Sequence, residues 1–260
     1  MLERPSKRVF VTGGTGFLGY RVVRALLEQG AEATVLVRPD GDENLGNLRG
    51  HVQWVQGDVW NPASLRGRAR GHAVVVHLVG GTRPDPARGL TFRHLNFVSA
   101  RNVAQMAVGD AVPHMILLSA SAAPLGVPGG YLDSKRDAEQ YLKKTGLTWT
   151  IVRAPALYVY GQRRNPFYVL ISFLSYVPLL GLLLAAHRAM PVDTAARGIA
   201  SLALSSDTIH NRMVSPRQLR RLGRSLEKLA LPGPEAAVLV DDDPGLDEPP
   251  LGWLPPPEVR

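Results

Sequence analysis

Cysteine is absent from the 260 residues of this sequence. Its absence excludes disulfide bonds, a thiolate nucleophile and thiolate metal ligands. Charged residues are also scarce, at 20% against 45% hydrophobic residues, which is typical of a folded globular protein and not of a disordered one. The N-terminal residues 1–8 lack the apolar core of a signal peptide, so we expect a cytoplasmic protein.

The net charge of +8 leaves several kinds of partner open. The arginines are scattered and form no basic stripe interleaved with aromatics, so we expect no nucleic-acid partner, although charge alone would suit a nucleic-acid-binding regulator. The preferred interpretation is a soluble basic protein. The alternative is a positive field that attracts a phosphorylated cofactor or an anionic membrane surface.

Short apolar runs alternate with stretches of helical periodicity over the first 153 residues. The predicted strands are 7–11, 33–37, 52–55, 73–79, 115–119 and 149–153. The predicted helices between them are 17–29, 90–108 and 131–145. This alternation predicts an α/β Rossmann fold with a doubly wound sheet of six or seven parallel strands.

The chain divides into three predicted parts. Residues 1–155 form the Rossmann domain, and residues 156–230 form a small C-terminal lobe that completes it and includes a helix at 195–204. Residues 231–260 are rich in proline and acidic residues, so we expect an extended tail.

A glycine-rich stretch, TGGTGFLG, lies between the first predicted strand and the first predicted helix. Gly14, Gly16 and Gly19 fit one dinucleotide-binding spacing, and Gly13, Gly16 and Gly19 fit a related one. Glycines allow the sharp turn and the close approach of a pyrophosphate, which the helix N-terminus attracts. A purely structural tight turn is the alternative. The residues expected at the cofactor are Thr12, Gly13, Gly14, Thr15, Gly16, Phe17, Leu18 and Gly19.

The end of the second strand indicates which nucleotide binds. Proteins selective for NAD usually have an acid there, but this chain has Arg38. A guanidinium can bind a 2′-phosphate in a forked pair of hydrogen bonds, so we expect a preference for NADP(H). An ordinary surface arginine is the alternative, and Asp40, Asp42 and Glu43 leave NAD(H) open.

Asp58 and Val59 follow the third strand, where a carboxylate could hold the adenine amino group. Asp58 could equally be a helix N-cap or turn residue before Pro62.

Tyr131 and Lys135 lie four residues apart on a predicted helix and therefore share one face. An ammonium beside a phenol stabilises the phenolate and lowers the tyrosine pKa towards the range of a general acid or base. A tyrosine and a lysine at this spacing are common on helices. The pair indicates a catalytic site here because a dinucleotide-binding motif precedes it in the chain.

Six motifs occur in the order seen in short-chain dehydrogenases/reductases. They are TGGTGFLG at 12–19, GDV at 57–59, VVHLVGG at 75–81, LLSASA at 117–122, YLDSK at 131–135 and TWTIVRAPALYVYG at 148–161. The chain resembles the extended, epimerase/dehydratase-like branch over residues 7–204. It is most similar to the group of the 39 kDa accessory subunit of respiratory complex I.

The resemblance implies a role for several residues. Tyr131 would be the catalytic acid or base, Lys135 its partner, and Ser121 the hydroxyl that polarises the substrate. Asn96 would lie in the helix behind the cofactor. The residues that would line the cofactor are Leu78, Val79, Gly80, Ser119, Pro155 and Ala156.

Two functions follow from these patterns. The first is an NADP(H)-dependent oxidoreductase or epimerase-like enzyme that acts on a carbonyl or carbinol carbon of a small molecule. The second is a non-catalytic NADPH-binding protein with a structural or redox-sensing role in a larger assembly, because members of the complex I group include such proteins.

Residues 167–186 form an apolar segment without a charged residue, long enough to span a membrane. Three interpretations stay open: a cover or core element of the substrate pocket, a patch that docks on a membrane surface or a protein complex, or a true span. The segment also suits a lipophilic substrate.

Overall fold

Seven parallel strands form one sheet, as the sequence predicts. The structure is a computed structural model that describes residues 7–39, 41–124, 126–127, 129–159, 189–205 and 211–227. The strands are β1 (Arg8–Thr12), β2 (Glu32–Val37), β3 (Gln53–Gln56), β4 (Val74–His77), β5 (His114–Ala120), β6 (Thr148–Ala154) and β9 (Arg212–Val214). Two short strands, β7 (Leu157–Tyr158) and β8 (Met190–Pro191), pair separately.

Helices cover both faces of the sheet. They are α1 (Phe17–Leu27), α2 (Pro62–Leu65), α3 (Ser99–Gly109), α4 (Gly130–Lys143), α5 (Val192–Leu204) and α6 (Pro216–Glu227). A 3₁₀ segment (Asp42–Gly50) follows β2, and a π-helical turn (Arg93–Val98) leads into α3. Apolar side chains of α1, α5 and α6 pack on one face, and those of α2, α3 and α4 pack on the other. Two-sided burial explains why the central strands consist of uninterrupted apolar residues.

The strand order is β3-β2-β1-β4-β5-β6-β9. The chain therefore moves outwards from β1 in one direction and then returns to start again at β4. The gap between the carboxyl ends of β1 and β4 is the topological switch point, where doubly wound sheets bind their ligands. The glycine-rich turn follows β1 and residues 78–81 follow β4, so both predicted cofactor segments meet at this point.

The part of the chain after residue 188 that the structure describes joins the main sheet. Helix α5 packs on α1, β9 pairs with β6 through Thr150–Val152, and α6 packs on α5. The predicted helix at 195–204 is confirmed within α5, whereas sequence analysis predicted neither β9 nor α6. The apolar segment 167–186 and the tail 231–260 lie outside the described residues, so their interpretations and the predicted domain boundaries stay predictions. None of the helices in the described ranges is both long and apolar enough to cross a membrane.

Two histidines are buried in the neighbouring central strands β4 and β5. His77 closes β4, where its Nδ1 lies 2.7 Å from Oγ1 of Thr12 and its Nε2 lies 3.4 Å from Oγ of Ser99. His114 opens β5, with Nε2 3.0 Å from Oγ1 of Thr150. Burial, helped by nearby cationic side chains, lowers the pKa of His77 to about 3 and the pKa of His114 to about 4.

We predict that the protein loses stability as the pH falls from about 6.5 towards 4. In that window the unfolded chain binds a proton at each histidine while the folded chain does not. Each pH unit below 6.5 then costs up to about 1.4 kcal/mol of unfolding free energy per histidine. Urea unfolding at pH 7 and pH 4.5 measures this loss. His77→Asn should reduce the pH dependence and His51→Asn, at an exposed site, should not; an equal pH dependence in wild type and His77→Asn would contradict the assignment.

Candidate cofactor and active site

Three of the four glycines in the turn are required by their neighbours. Gly13 has a φ of +78°, and a Cβ there would lie 3.0 Å from the backbone nitrogen of Val79. A Cβ on Gly14 would lie 2.7 Å from Cγ1 of Val35, and one on Gly19 would overlap the carbonyl oxygen of Gly13. A Cβ on Gly16, by contrast, would make only an ordinary contact at 3.5 Å. The space above Gly16 is therefore open to a ligand.

Helix α1 begins at this turn, and the backbone N–H groups of its first turn have no acceptor within the helix. Gly16 is its N-cap, and no side chain of the described residues makes a capping hydrogen bond there. Its first turn contains no acidic residue. The positive end of the helix dipole and the unpaired N–H groups thus fit the pyrophosphate of a dinucleotide.

A cleft runs over the turn along the carboxyl ends of the strands. Many residues that the sequence predicts at the cofactor line it: Gly13, Thr15, Gly16, Phe17, Leu18, Gly19, Arg38, Val59, Leu78, Val79, Gly80, Ser119, Tyr131 and Lys135. Sequence analysis missed eight others: Leu36, Asn44, Gly57, Trp60, Gly81, Thr82, Leu95 and Leu118. Both predicted segments of the cofactor site and the Tyr–Lys pair therefore meet in one cleft.

Six predicted site residues are not among the described residues that line this cleft: Thr12, Gly14, Asp58, Ser121, Pro155 and Ala156. The carboxylate of Asp58 accepts a hydrogen bond of 2.9 Å from the backbone N–H of Trp60, which is the turn role considered as the alternative. The backbone N–H of Ser121 donates to the carbonyl of Ala154 at 2.8 Å. The proposed ligand contacts of these residues stay predictions.

At one end of the cleft, Arg38 is exposed and lies on the lining together with Asn44. Asp42, which could have favoured NAD, instead pairs with Arg49 at 2.7 Å. Glu43 is exposed, and Asp40 lies outside the described residues. A guanidinium beside an amide is a suitable surface for a phosphate group.

Tyr131 and Lys135 lie buried at the other end, with 2% and 5% of their surface exposed. The ring of Phe92 packs edge-on against Tyr131, with the ring centres 5.9 Å apart. Burial raises the pKa of Tyr131 above its usual value, against a smaller opposing effect of Arg136. The sequence predicted a lowered pKa because of Lys135, and that prediction is wrong: loss of hydration dominates, and the charge that opposes it is that of Arg136. The phenol is therefore protonated at neutral pH and is available as an acid.

Lys135 is held beneath the turn that follows β4. Its Nζ donates to the carbonyl of Leu118 at 3.2 Å, and burial lowers its pKa to about 8 against the opposing charge of Glu139. A Cβ on Gly80 would lie 2.6 Å from that Nζ and 2.7 Å from Oδ1 of Asn96. Only a glycine at position 80 lets the strand end approach the lysine so closely.

Asn96 fixes the same turn from the π-helical segment. Its side chain accepts from the N–H of Gly81 at 3.0 Å and donates to the carbonyl of Gly81 at 3.1 Å. It also donates to Oγ of Ser134 at 3.2 Å. Asn96 lies behind the cleft wall, as the resemblance implies, and it joins that wall to α4.

A buried carboxylate that sequence analysis missed lies one turn beyond Lys135. Glu139 is 2% exposed, and it accepts a hydrogen bond of 2.6 Å from Oγ of Ser119. Arg153 binds it with Nε at 3.0 Å and Nη2 at 2.6 Å, and Arg136 also pairs with it. Burial would raise the pKa of Glu139, but Arg153, Ser119 and Arg136 together lower it. The four-residue spacing from Lys135 was the signal that could have revealed it.

Comparisons with known proteins agree with this geometry. The family described as NAD(P)H-binding matches residues 13–168. A ceramide reductase from Caulobacter vibrioides is 35% identical over 154 residues, which are 59% of this chain and 47% of that protein. Mouse sterol-4-alpha-carboxylate 3-dehydrogenase, decarboxylating, is 30% identical over 117 residues, which are 45% of this chain and 31% of that protein.

A dTDP-glucose 4,6-dehydratase from Streptomyces venezuelae, solved with NAD and TYD bound, shares the fold. Its TM-score is 0.57 at 22% identity, and the match covers 85% of this chain and 81% of that one. The matches to the two curated relatives span less than half of their length. The family match covers more than half of this chain and includes the glycine turn, the Tyr–Lys pair and the sheet between them. The chain belongs to the NAD(P)H-binding family, and the solved structures that it resembles share its Rossmann fold.

Proposed function

We propose that this protein is an NADP(H)-dependent oxidoreductase that interconverts a carbonyl and an alcohol. One observation carries the proposal: a buried Tyr131 and Lys135 line the same cleft as the glycine turn. A dinucleotide with its pyrophosphate at α1 would extend towards that pair. The reduced nicotinamide supplies the hydride when it is bound.

The protonated phenol of Tyr131 suits the direction of carbonyl reduction. As the carbonyl carbon gains hydride, its oxygen gains negative charge, and the phenol donates the proton that completes the alcohol. The pKa of Lys135 is about 8, so the side chain is mostly protonated at neutral pH and can stabilise the tyrosinate that is left behind. Because this pKa is near neutral, the ammonium can also take part in reprotonating the tyrosinate. The apolar walls of Leu95 and Leu118 exclude water from that proton transfer.

We further propose that the substrate is lipophilic. The two curated relatives are named for a ceramide and for a sterol carboxylate. Leu95 and Leu118 are apolar residues of the cleft lining, and the sequence has a segment without charge at 167–186. That segment is also our candidate for peripheral contact with a membrane or a protein complex.

A substrate screen tests the enzymatic proposal. Purified protein with NADPH would be offered keto-lipids and ketosteroids in mixed micelles, with water-soluble ketones and aldehydes as a control set, and NADPH absorbance would be followed. Turnover restricted to the lipophilic set supports both proposals. NADPH binding without turnover of any member contradicts the enzymatic one.

A second function has an observation of its own. Ser121, the hydroxyl that the family resemblance assigns to the substrate, is not among the described residues that line the cleft. This favours a non-catalytic NADPH-binding protein that stabilises or senses within a larger assembly, as in the complex I group that the sequence resembles. Expression of Tyr131→Phe in cells that lack the protein distinguishes the two functions. The non-catalytic function predicts that this variant rescues the cells fully, and the enzymatic function predicts that it does not rescue them.

The cofactor preference gives a separate prediction for Arg38→Ala. We expect NADPH affinity to fall about 10- to 100-fold, because a hydrogen-bonded charge on the 2′-phosphate is lost. NADH affinity should change less than about twofold, since that cofactor has no such phosphate. Nicotinamide fluorescence titrations measure both.

Arg49→Ala is the matched control for this prediction. Arg49 is also exposed, but its guanidinium pairs with Asp42 and is not part of the cleft lining. Equal losses in the two variants, or a loss of NADH affinity as large as that of NADPH, would show that Arg38 does not recognise the phosphate.

A further inference from the structure

We propose that Glu139 is a positioning residue that makes Ser119 a hydrogen-bond acceptor for the nicotinamide half of the cofactor. This inference rests on the proposed binding of NADP(H) in the cleft. It assigns a task to a buried ion pair that the proton-transfer chemistry of Tyr131 and Lys135 does not use.

The hydrogen bonds of Ser119 lead to this assignment. A serine hydroxyl has one proton to donate and two lone pairs that accept. The proton points to Oε1 of Glu139 at 2.6 Å, and Nη1 of Arg136 occupies one lone pair at 3.2 Å. Within the described part of the chain no further group bonds this hydroxyl, so one lone pair is left, on a residue that lines the same cleft as Tyr131. Ser119 can therefore offer a ligand an acceptor and no donor.

Glu139 is held so that it maintains this orientation. Arg153 of β6 donates hydrogen bonds to both carboxylate oxygens of Glu139. Arg136 in turn donates to the carbonyl of Ala120 at 2.9 Å. Two guanidinium groups keep the carboxylate ionised, so it accepts the hydrogen bond from the serine hydroxyl and has no proton to donate in return. The ion pair thus fixes the serine hydroxyl from behind the cleft wall.

The partner must be an N–H or O–H donor near the Tyr–Lys end. The nicotinamide half of NADPH carries two: the carboxamide amino group and the hydroxyls of its ribose. NADPH has both, 2′-phospho-ADP-ribose has the ribose without the nicotinamide, and 2′,5′-ADP has neither. These three ligands separate the possible sources of the donor.

The test is calorimetric binding of the three ligands to wild type, Ser119→Ala, Glu139→Gln and the double variant. We expect each single variant to weaken NADPH binding about 3- to 10-fold, the range for one hydrogen bond. If the donor is the carboxamide, 2′-phospho-ADP-ribose binding stays unchanged, and if it is the ribose, that binding falls as well. In both cases 2′,5′-ADP binding is unaffected, and the double variant binds no more weakly than Ser119→Ala.

Glu28→Gln is the charge-matched control, because Glu28 pairs with Arg24 at 3.4 Å on the surface of α1, away from the cleft lining. If Glu139→Gln fails to fold, Arg153→Gln takes its place in the set of variants. It removes the partly exposed guanidinium that binds the same carboxylate. Loss of 2′,5′-ADP affinity, additive effects in the double variant, or unchanged NADPH affinity in Ser119→Ala would each overturn the proposal. No NADPH binding by wild type would instead count against the proposed function.

Discussion

Gly19→Ala is expected to raise the dissociation constant of NADPH by more than about 100-fold, the scale expected when the phosphate-binding turn is displaced. The new methyl group would overlap the carbonyl oxygen of Gly13, which is backbone and cannot rotate away. The turn and the first residues of α1 must then separate, and the N–H groups that would face the pyrophosphate move with them. Fluorescence titration with NADPH, together with thermal unfolding, measures the effect.

The same substitution at Gly109 is its control. Gly109 ends α3, and a Cβ there would meet nothing within 4 Å. Gly109→Ala should therefore bind NADPH like wild type. Wild-type affinity in Gly19→Ala would mean that the close packing of strand and helix at the turn is not needed for binding.

Tyr131→Phe is expected to lower turnover by about 100- to 10,000-fold, the usual contribution of a positioned general acid. The phenylalanine ring can keep the edge-on contact with Phe92, so the fold and the NADPH affinity should change little. Steady-state rates with a substrate from the screen, compared with NADPH titrations, separate the two effects.

Tyr141→Phe provides the comparison within the same helix. Tyr141 packs edge-on against Phe97, with ring centres 6.1 Å apart, and it does not belong to the cleft lining. Its variant should retain wild-type turnover. If Tyr131→Phe retained it as well, the proton would have to come from another group, and the proposed chemistry would be wrong.

Most of the fold could be predicted because its strands are buried on both faces. The runs ending at Val11, Val37 and Ser119 all became strands of the sheet, since continuous β-branched and apolar residues fit a parallel sheet between helices. Strand β9 could not be predicted, because three residues give no measurable period. Helix α6 was missed because its arginines make the segment polar as a whole, although Leu219 and Leu222 have helical spacing and pack on the core.

The candidate site was predictable where it is local in sequence. The glycines of the turn lie within a few residues of one another, between a strand and a helix. Tyr131 and Lys135 lie about one helical turn apart, so both patterns are visible in a short stretch of sequence. The protonation of Tyr131 was not predictable, because it depends on burial by residues such as Phe92 from distant segments. The positions of Trp60 and Asn44 in the cleft were not predictable either, because Trp60 lies in a turn and Asn44 in a short 3₁₀ segment, and neither has a periodic pattern.

The packing of α1 on α5 has a consequence for how the chain is made. The helix that carries the cofactor turn buries its apolar side against Val192–Leu204, and Asp193 pairs there with Arg21 and Arg24 at 3.5 and 3.3 Å. On the ribosome, the first helix must wait until the chain beyond residue 204 has emerged. Until then its apolar side is exposed, and transiently exposed apolar surface of this kind is prone to aggregation and is what chaperones protect.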